Sequence, residues 1–197
     1  MNIHAHFFCY NEERILPFFM KHYSKICTKI FITDQSSTDS SVSIIKSYPN
    51  TEVINNNYPE NDDAILADMK NNQWKMSRGL CDYVIVGDID EFIYAPNGRL
   101  EQLHDSGYTV IKPVGYDMIS TTYPKYDRPI TETVKKGRQS GLYSKCMVFD
   151  PNKITEINYD YGAHLCHPTG DVRFYESNGD VKLLHYKYLS LEKCYCG

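Results

Sequence analysis

Apolar and polar positions in the first half of the chain alternate between two rhythms. Asn2 to Cys9 reads as a strand, and from Asn11 to about Ser24 the residues Ile15, Leu16, Phe19, Met20 and Tyr23 recur at helical spacing. Lys29 to Thr33 predicts a second strand. Asp34 to Ser40 is a turn rich in helix-capping residues, and Ser41 to Ser47 a short helix after it. Glu52 to Asn55 reads as a third strand and the polar run Asn55 to Asp63 as a loop. Ala64 to Arg78 predicts a longer helix, with Ile65, Met69 and Met76 on one side and Gly79 as its stop. Tyr83 to Gly87 is a fourth strand. Such strand-helix alternation implies an α/β fold with a parallel sheet and right-handed crossovers.

Past Pro96 the texture changes. Shorter strands are expected at Tyr108 to Pro113, Tyr143 to Phe149, Asp171 to Tyr175 and Val181 to Tyr186, between loops rich in Gly, Pro, Tyr and Lys. At 197 residues and 42% hydrophobic the chain can bury one core, so a single domain is expected. Its first half, residues 1–95, reads as a nucleotide-binding unit and its second, residues 96–197, as a loop-rich part expected to shape a substrate cleft.

A net charge of -4 argues against a nucleic-acid platform, which carries a basic surplus. No stretch approaches the roughly 20 apolar residues of a membrane span, and the N-terminus lacks the basic region of a signal peptide. Seven scattered cysteines, mostly inside apolar runs, suit reduced buried thiols. The expected location is therefore cytoplasmic. Cys194 and Cys196 lack the spacing of zinc or redox pairs. The chain stops directly after a motif-like stretch, which reads as a piece of a longer protein.

The chemistry concentrates at the end of the fourth strand, where Asp88, Asp90 and Glu91 place three carboxylates within four residues. They would repel one another unless something cationic sat between them. In extended backbone Asp88 and Asp90 face the same way and can share one hard divalent cation, while Glu91 points elsewhere. Cys9-Tyr10-Asn11-Glu12 and Asp34 end two other strands on the same rim. Open α/β sheets take their ligands at that rim. Tyr10 is placed to stack on a base, although in a chain with 17 tyrosines ordinary packing is the alternative. Asp34 is placed to accept the imide hydrogen of a pyrimidine, or else to cap the helix that follows.

Cys9-Tyr-Asn-Glu-Glu-Arg-Ile-Leu-Pro-Phe-Phe19, Ile32-Thr-Asp-Gln-Ser-Ser-Thr-Asp-Ser40, Asn71-x-x-Trp74-Lys75 and Asp82-Tyr-Val-Ile-Val-Gly-Asp-Ile-Asp-Glu-Phe92 follow in order along the chain. With Tyr143-Ser-Lys145, Gly162-Ala-His164 and His185-Tyr-Lys-Tyr-x-Ser190-x-Glu192, this series resembles the GT-A-fold glycosyltransferases of the family 2-like group, from about Phe7 to Glu192. A fainter resemblance is to the N-terminal domain of a large-DNA-virus glycosyltransferase that decorates capsid glycans.

The resemblance implies a Rossmann-like nucleotide-binding half, a mixed central sheet and transfer from a nucleotide-diphosphate sugar, UDP-linked in the first instance, to a glycan or glycoprotein acceptor. Mn²⁺ or Mg²⁺ on the D-x-D would neutralise the departing diphosphate. Asp90 would coordinate it directly and Asp88 would reach the ribose or the metal's water shell. His185 would complete the metal site, with His164 as competitor, and Asn11, Asn71, Lys75 and Lys145 would join the nucleotide site, unless the lysines are simply solvated. Inversion is implied, with a carboxylate base for the acceptor hydroxyl; Asp117, Asp160 and Asp171 are its candidates. The family's C-terminal extension is missing after Glu192.

Two other classes fit parts of the pattern. A haloacid-dehalogenase-type phosphatase also carries D-x-D after an apolar strand, but on its first strand and with Thr or Val where this chain has Phe92. A non-catalytic sugar-nucleotide or glycan-binding domain has no need of the acidic cluster.

Overall fold

The computed structural model describes residues 1–55 and 63–190. The chain begins with β1 (Ile3–Cys9), α1 (Leu16–Tyr23), β2 (Lys29–Asp34), α2 (Ser41–Lys46), β3 (Thr51–Asn55), α3 (Asp63–Asn72), β4 (Tyr83–Asp88) and β5 (Glu91–Tyr94). It continues through α4 (Arg99–Asp105), β6 (Val110–Lys112), β7 (Val114–Ile119), α5 (Ile130–Thr133), β8 (Gly137–Gln139), β9 (Val148–Phe149), β10 (Ile154–Glu156), β11 (Thr169–Gly170), β12 (Phe174–Glu176) and β13 (Lys182–Tyr188).

The fold is mixed α/β. Its central sheet has seven strands in the order β12-β6-β9-β4-β1-β2-β3, parallel except for β9, which runs antiparallel to both neighbours. The expected α/β class therefore stands, and the central sheet is mixed, as the resemblance implies. Alternation along β4 sorts its residues between two apolar clusters. Tyr83 and Ile85 pack with Phe7, Phe19 and Tyr23, whereas Val84 and Val86 pack with Trp74 and Phe149. A strand buried on both faces reads as the continuous apolar run that the sequence shows.

A second sheet, in the order β5-β13-β7-β8, positions the site. Its register sets His185 of β13 opposite Glu91 of β5 on one side and Asp117 of β7 on the other. The smaller pair β10 and β11 is antiparallel. Among the described residues no helix is long and apolar enough to cross a membrane.

Several expected boundaries move. Helix α1 begins at Leu16 rather than Asn11, because Pro17, which lacks an N–H, fits only the first turn. Asn11 instead adopts φ 53°. The helix expected to Arg78 ends at Asn72 and tightens into a 3₁₀ turn over Gln73–Ser77 before Gly79 at φ 74°. The strand expected over Tyr143 to Phe149 contracts to Val148–Phe149, since the Tyr143–Ser144 backbone lies against Gly115. The polar loop expected at 55–63 falls largely outside the described residues, as do Glu192, Cys194 and Cys196.

Candidate active site

Strand β4 stops at Asp88 and Ile89–Asp90 form a turn into β5. The alternation expected to align Asp88 and Asp90 on one extended strand is thus replaced by a turn, which still delivers both carboxylates to one cleft. That cleft, of about 470 Å³, opens at the C-terminal rim of the parallel strands. It is also lined by Tyr10, Lys145, His164 and His185.

Each acid in the turn has its own cationic or imidazole partner. Lys70 Nζ donates to Asp88 Oδ2 at 2.8 Å. Lys145 Nζ lies 2.6 Å from Glu91 Oε1, and both side chains are almost fully buried. His185 Nε2 lies 3.2 Å from Asp90 Oδ2, while its Nδ1 is 2.9 Å from Asp117 Oδ1. An ionised carboxylate only accepts, so Nδ1 carries a proton and the Nε2 edge faces Asp90. The Tyr143 ring stacks on the imidazole with centroids 3.9 Å apart, and the Tyr186 N–H donates to the Asp90 carbonyl at 2.8 Å.

Glu91 corrects a sequence expectation. It does not point away from its neighbours; it folds back so that Oε2 accepts the Asp88 N–H at 3.1 Å. Gly87 makes room for this, because a Cβ there would lie 2.9 Å from Glu91 Oε2 and 2.2 Å from Met147 Cε.

The charges tune one another. Burial works against ionised Asp90, but the His185 hydrogen bond and charge outweigh it and hold its carboxyl below the usual range. Burial likewise works against a charged His185, yet Asp90 and Asp117 outweigh it and raise its pKa. Lys145 follows the same pattern: burial opposes the ammonium, and Glu91, Asp88 and Asp90 raise its pKa in spite of that.

Asp90 and His185 fit a divalent cation in their donor chemistry. Two ligands each about 2.1 to 2.2 Å from one ion, at near-right angles, stand about 3.0 to 3.3 Å apart. The observed 3.2 Å lies in that range. Asp117 on the far ring nitrogen is the carboxylate that orients many metal-bound histidines. Among the described residues no group of three or more His, Cys, Asp or Glu side chains converges as a ready-made cage. Remaining positions would fall to phosphate oxygens and water, as is usual for a hard cation on a nucleotide.

Other expected site residues are placed elsewhere. The Asp34 carboxylate accepts the Ser37 N–H at 3.2 Å, so it caps the turn after β2 and is not among the residues lining the cleft. Asn11 Oδ1 accepts the Thr38 N–H at 2.8 Å and braces the same turn. Asn71 clamps the Tyr159 backbone, accepting its N–H at 2.7 Å and donating to its carbonyl at 3.1 Å. Lys75 pairs with Glu156 at 2.6 Å. His164 lines the cleft, but its Nδ1 bonds the Leu142 carbonyl. Of the base candidates, Asp160 accepts the Leu165 N–H and Asp171 is an exposed partner of Lys153. Of the three, only Asp117 reaches the site, where its carboxylate meets His185 Nδ1.

Sequence reasoning missed Lys70, Tyr143 and Lys187. Leu66, Ala67 and Lys70 all line the cleft, and their i, i+1, i+4 spacing on a helix was the available signal for Lys70. Lys187 lines the cleft, is exposed and takes part in no ion pair that the described residues show.

No family model and no curated protein matches the chain. Among solved structures, HddC from Yersinia pseudotuberculosis is similar over 99% of this chain and 97% of its own, at 10% identity and a TM-score of 0.49. A 4-diphosphocytidyl-2C-methyl-D-erythritol synthase from Anaerococcus prevotii is similar over 76% of this chain and 70% of its own, at 10% identity and a TM-score of 0.40. Glucosyl-3-phosphoglycerate synthase from Mycobacterium tuberculosis, solved with Mn²⁺, UDP and phosphoglyceric acid, is similar over 58% of this chain, at 14% identity and a TM-score of 0.41. The match spans 43% of that synthase's length. Likenesses this remote leave the functional reading to the site itself.

Proposed function

We propose that the chain is a metal-dependent glycosyltransferase that moves a sugar from a nucleotide-diphosphate sugar, UDP-linked in the first instance, to a hydroxyl of a glycan or glycoprotein acceptor, with inversion at the anomeric carbon. The observation that supports this reading is the Asp90–His185 pair, 3.2 Å apart and backed by Asp117, on the rim of a parallel sheet. Asp90 and His185 would hold the cation. Bound Mn²⁺ or Mg²⁺ supplies Lewis-acid neutralisation of the departing diphosphate.

The chain's own residues do the positioning. Asp117 fixes the imidazole so that Nε2 faces the cleft, and Tyr143 covers the ring's flat side. Lys145 lies buried against Glu91 and holds the turn that presents Asp90, while Lys70 holds Asp88. The exposed Lys187 is, among the described residues lining the cleft, a cation with freedom to meet a phosphate. Tyr10, 43% exposed at the same rim, offers a flat face to a base.

The test is calorimetric titration of UDP with Mn²⁺ and then with chelator, followed by a panel of nucleotide sugars scored for nucleoside diphosphate released on slow hydrolysis. Metal-dependent binding together with release from at least one donor is the expected result. Equal UDP affinity with chelator present would sink the metal assignment, and metal-dependent binding without release from any donor would favour a non-catalytic sugar-nucleotide-binding domain.

A further inference from the structure

A second cleft, of about 280 Å³, adjoins the first and shares His164 with it. Among its lining residues are two cysteines far apart in sequence, Cys146 and Cys166, together with Lys112. The two thiols are close enough that each is the largest influence on the other's ionisation. Cys146 is buried and sits at the apex of a tight turn in which the Met147 N–H donates to the Lys145 carbonyl at 2.9 Å. Cys166 is partly exposed. Tyr159 braces the two, since its backbone bridges to Cys166 and its hydroxyl donates to the Cys146 carbonyl at 2.7 Å.

We propose that Cys146 and Cys166 are a peroxide-responsive thiol pair that closes to a disulfide, tying the segment that carries Lys145 to the loop that carries His164. Both of those residues line the candidate active cleft, so the bond would fix one wall of it. The asymmetry within the pair assigns the order of events. Cys166 is partly exposed and meets peroxide first, whereas Cys146 is buried; Cys146 and the Lys112 charge also lower the Cys166 pKa against burial. The Cys166 thiolate attacks a hydroperoxide such as H₂O₂, taking one oxygen to become a sulfenic acid while the O–O bond breaks and, with one proton, water leaves. Cys146 sulfur then displaces the sulfenic hydroxyl, losing its own proton, and a second water departs. In total two thiol hydrogens and two electrons reduce one H₂O₂ to two H₂O.

The experiment treats the reduced full chain with equimolar H₂O₂, blocks remaining thiols with N-ethylmaleimide in denaturant, and maps non-reduced peptides by mass spectrometry. A Cys146–Cys166 crosslink that dithiothreitol removes is expected, with Cys9, Cys27 and Cys81 still alkylated. In the untreated native chain Cys166 should react with iodoacetamide at least about tenfold faster than Cys146. Cys146→Ser should leave a sulfenic acid on Cys166 that dimedone traps, and Cys166→Ser should give neither crosslink nor adduct at residue 146. Full alkylation of both cysteines after peroxide, or a crosslink from either one to a different thiol, would overturn the proposal.

Discussion

Asp90 Oδ2 stands 3.2 Å from His185 Nε2, and the same imidazole meets Asp117 through Nδ1 at 2.9 Å. Carboxylates face both nitrogens, so a positive charge has to lie on the Asp90 side, as a second proton or as a metal ion. If the ion is the working occupant, Asp90→Ala and His185→Ala should each abolish Mn²⁺-assisted UDP binding. Asp117→Asn, which keeps the shape and weakens only the orienting bond, should loosen Mn²⁺ about 10- to 100-fold. Calorimetry of Mn²⁺ in the presence of UDP measures all three, and wild-type affinity in Asp90→Ala would remove Asp90 from the site.

The same pair predicts how pH acts. Without metal, the pKa of His185 is raised above the ordinary 6.5 by Asp90 and Asp117, against burial. A raised folded-state value means that its stabilising contribution is fully present below pH 6.5 and is lost as pH rises through the raised pKa. The metal-free protein should thus lose melting temperature across that window, and His185→Gln should flatten the loss. Mn²⁺ competes with the Nε2 proton, so its affinity should run the other way and weaken as pH falls through the raised value. Melting curves in chelator and Mn²⁺ titrations across this window check the two signs. A stability profile unchanged by His185→Gln would contradict the proton's placement.

How far the sequence disclosed this arrangement depends on the range over which each feature is determined. The strands β1, β2, β3 and β4 are local apolar runs, and each lies within a residue or so of its expected position. Asp88 and Asp90 were legible because three acids at a strand end are locally improbable. The pairing of Lys70 with Asp88 and of Lys145 with Glu91 was not, since these lysines come from a helix and a loop whose approach only tertiary packing sets. His185 was placed by the resemblance, and its proximity to Asp90 follows from the register of β13 against β5 and β7, which no local pattern encodes. Asn11, Asn71 and Asp34 each hold backbone groups in this structure for a shared reason. Short polar side chains in motif-rich loops satisfy neighbouring backbone groups as readily as ligands.

The Glu91–Lys145 pair should dominate local stability. Both side chains are almost completely buried at 2.6 Å, so removing one leaves a charge stranded in the interior. Lys145→Met is expected to cost about 3 to 5 kcal/mol, and the double variant Glu91→Gln/Lys145→Met to recover much of it. Urea denaturation of the two single variants and the double variant forms the cycle. If the single changes simply added, the two groups would not be acting as a pair.

Gly115 offers the most indirect handle on the site. A Cβ built there would lie 2.1 Å from the Tyr143 carbonyl carbon, 2.3 Å from its oxygen and 2.5 Å from the Ser144 nitrogen, all of them backbone atoms that cannot swing aside. Tyr143 in turn stacks on His185, so displacing that segment disturbs the imidazole without touching any group that would meet metal or nucleotide. Gly115→Ala should therefore destabilise the fold by about 1 to 3 kcal/mol, the usual cost of overpacking. It should also weaken Mn²⁺ affinity in the variant that remains folded. Gly141→Ala is the matched control, because Gly141 begins the same 3₁₀ turn as Tyr143 and its Cβ would meet nothing within 4 Å. Thermal melts and Mn²⁺ titrations of the two variants side by side test the chain of contact from Gly115 through Tyr143 to His185, and equal behaviour of both would break it.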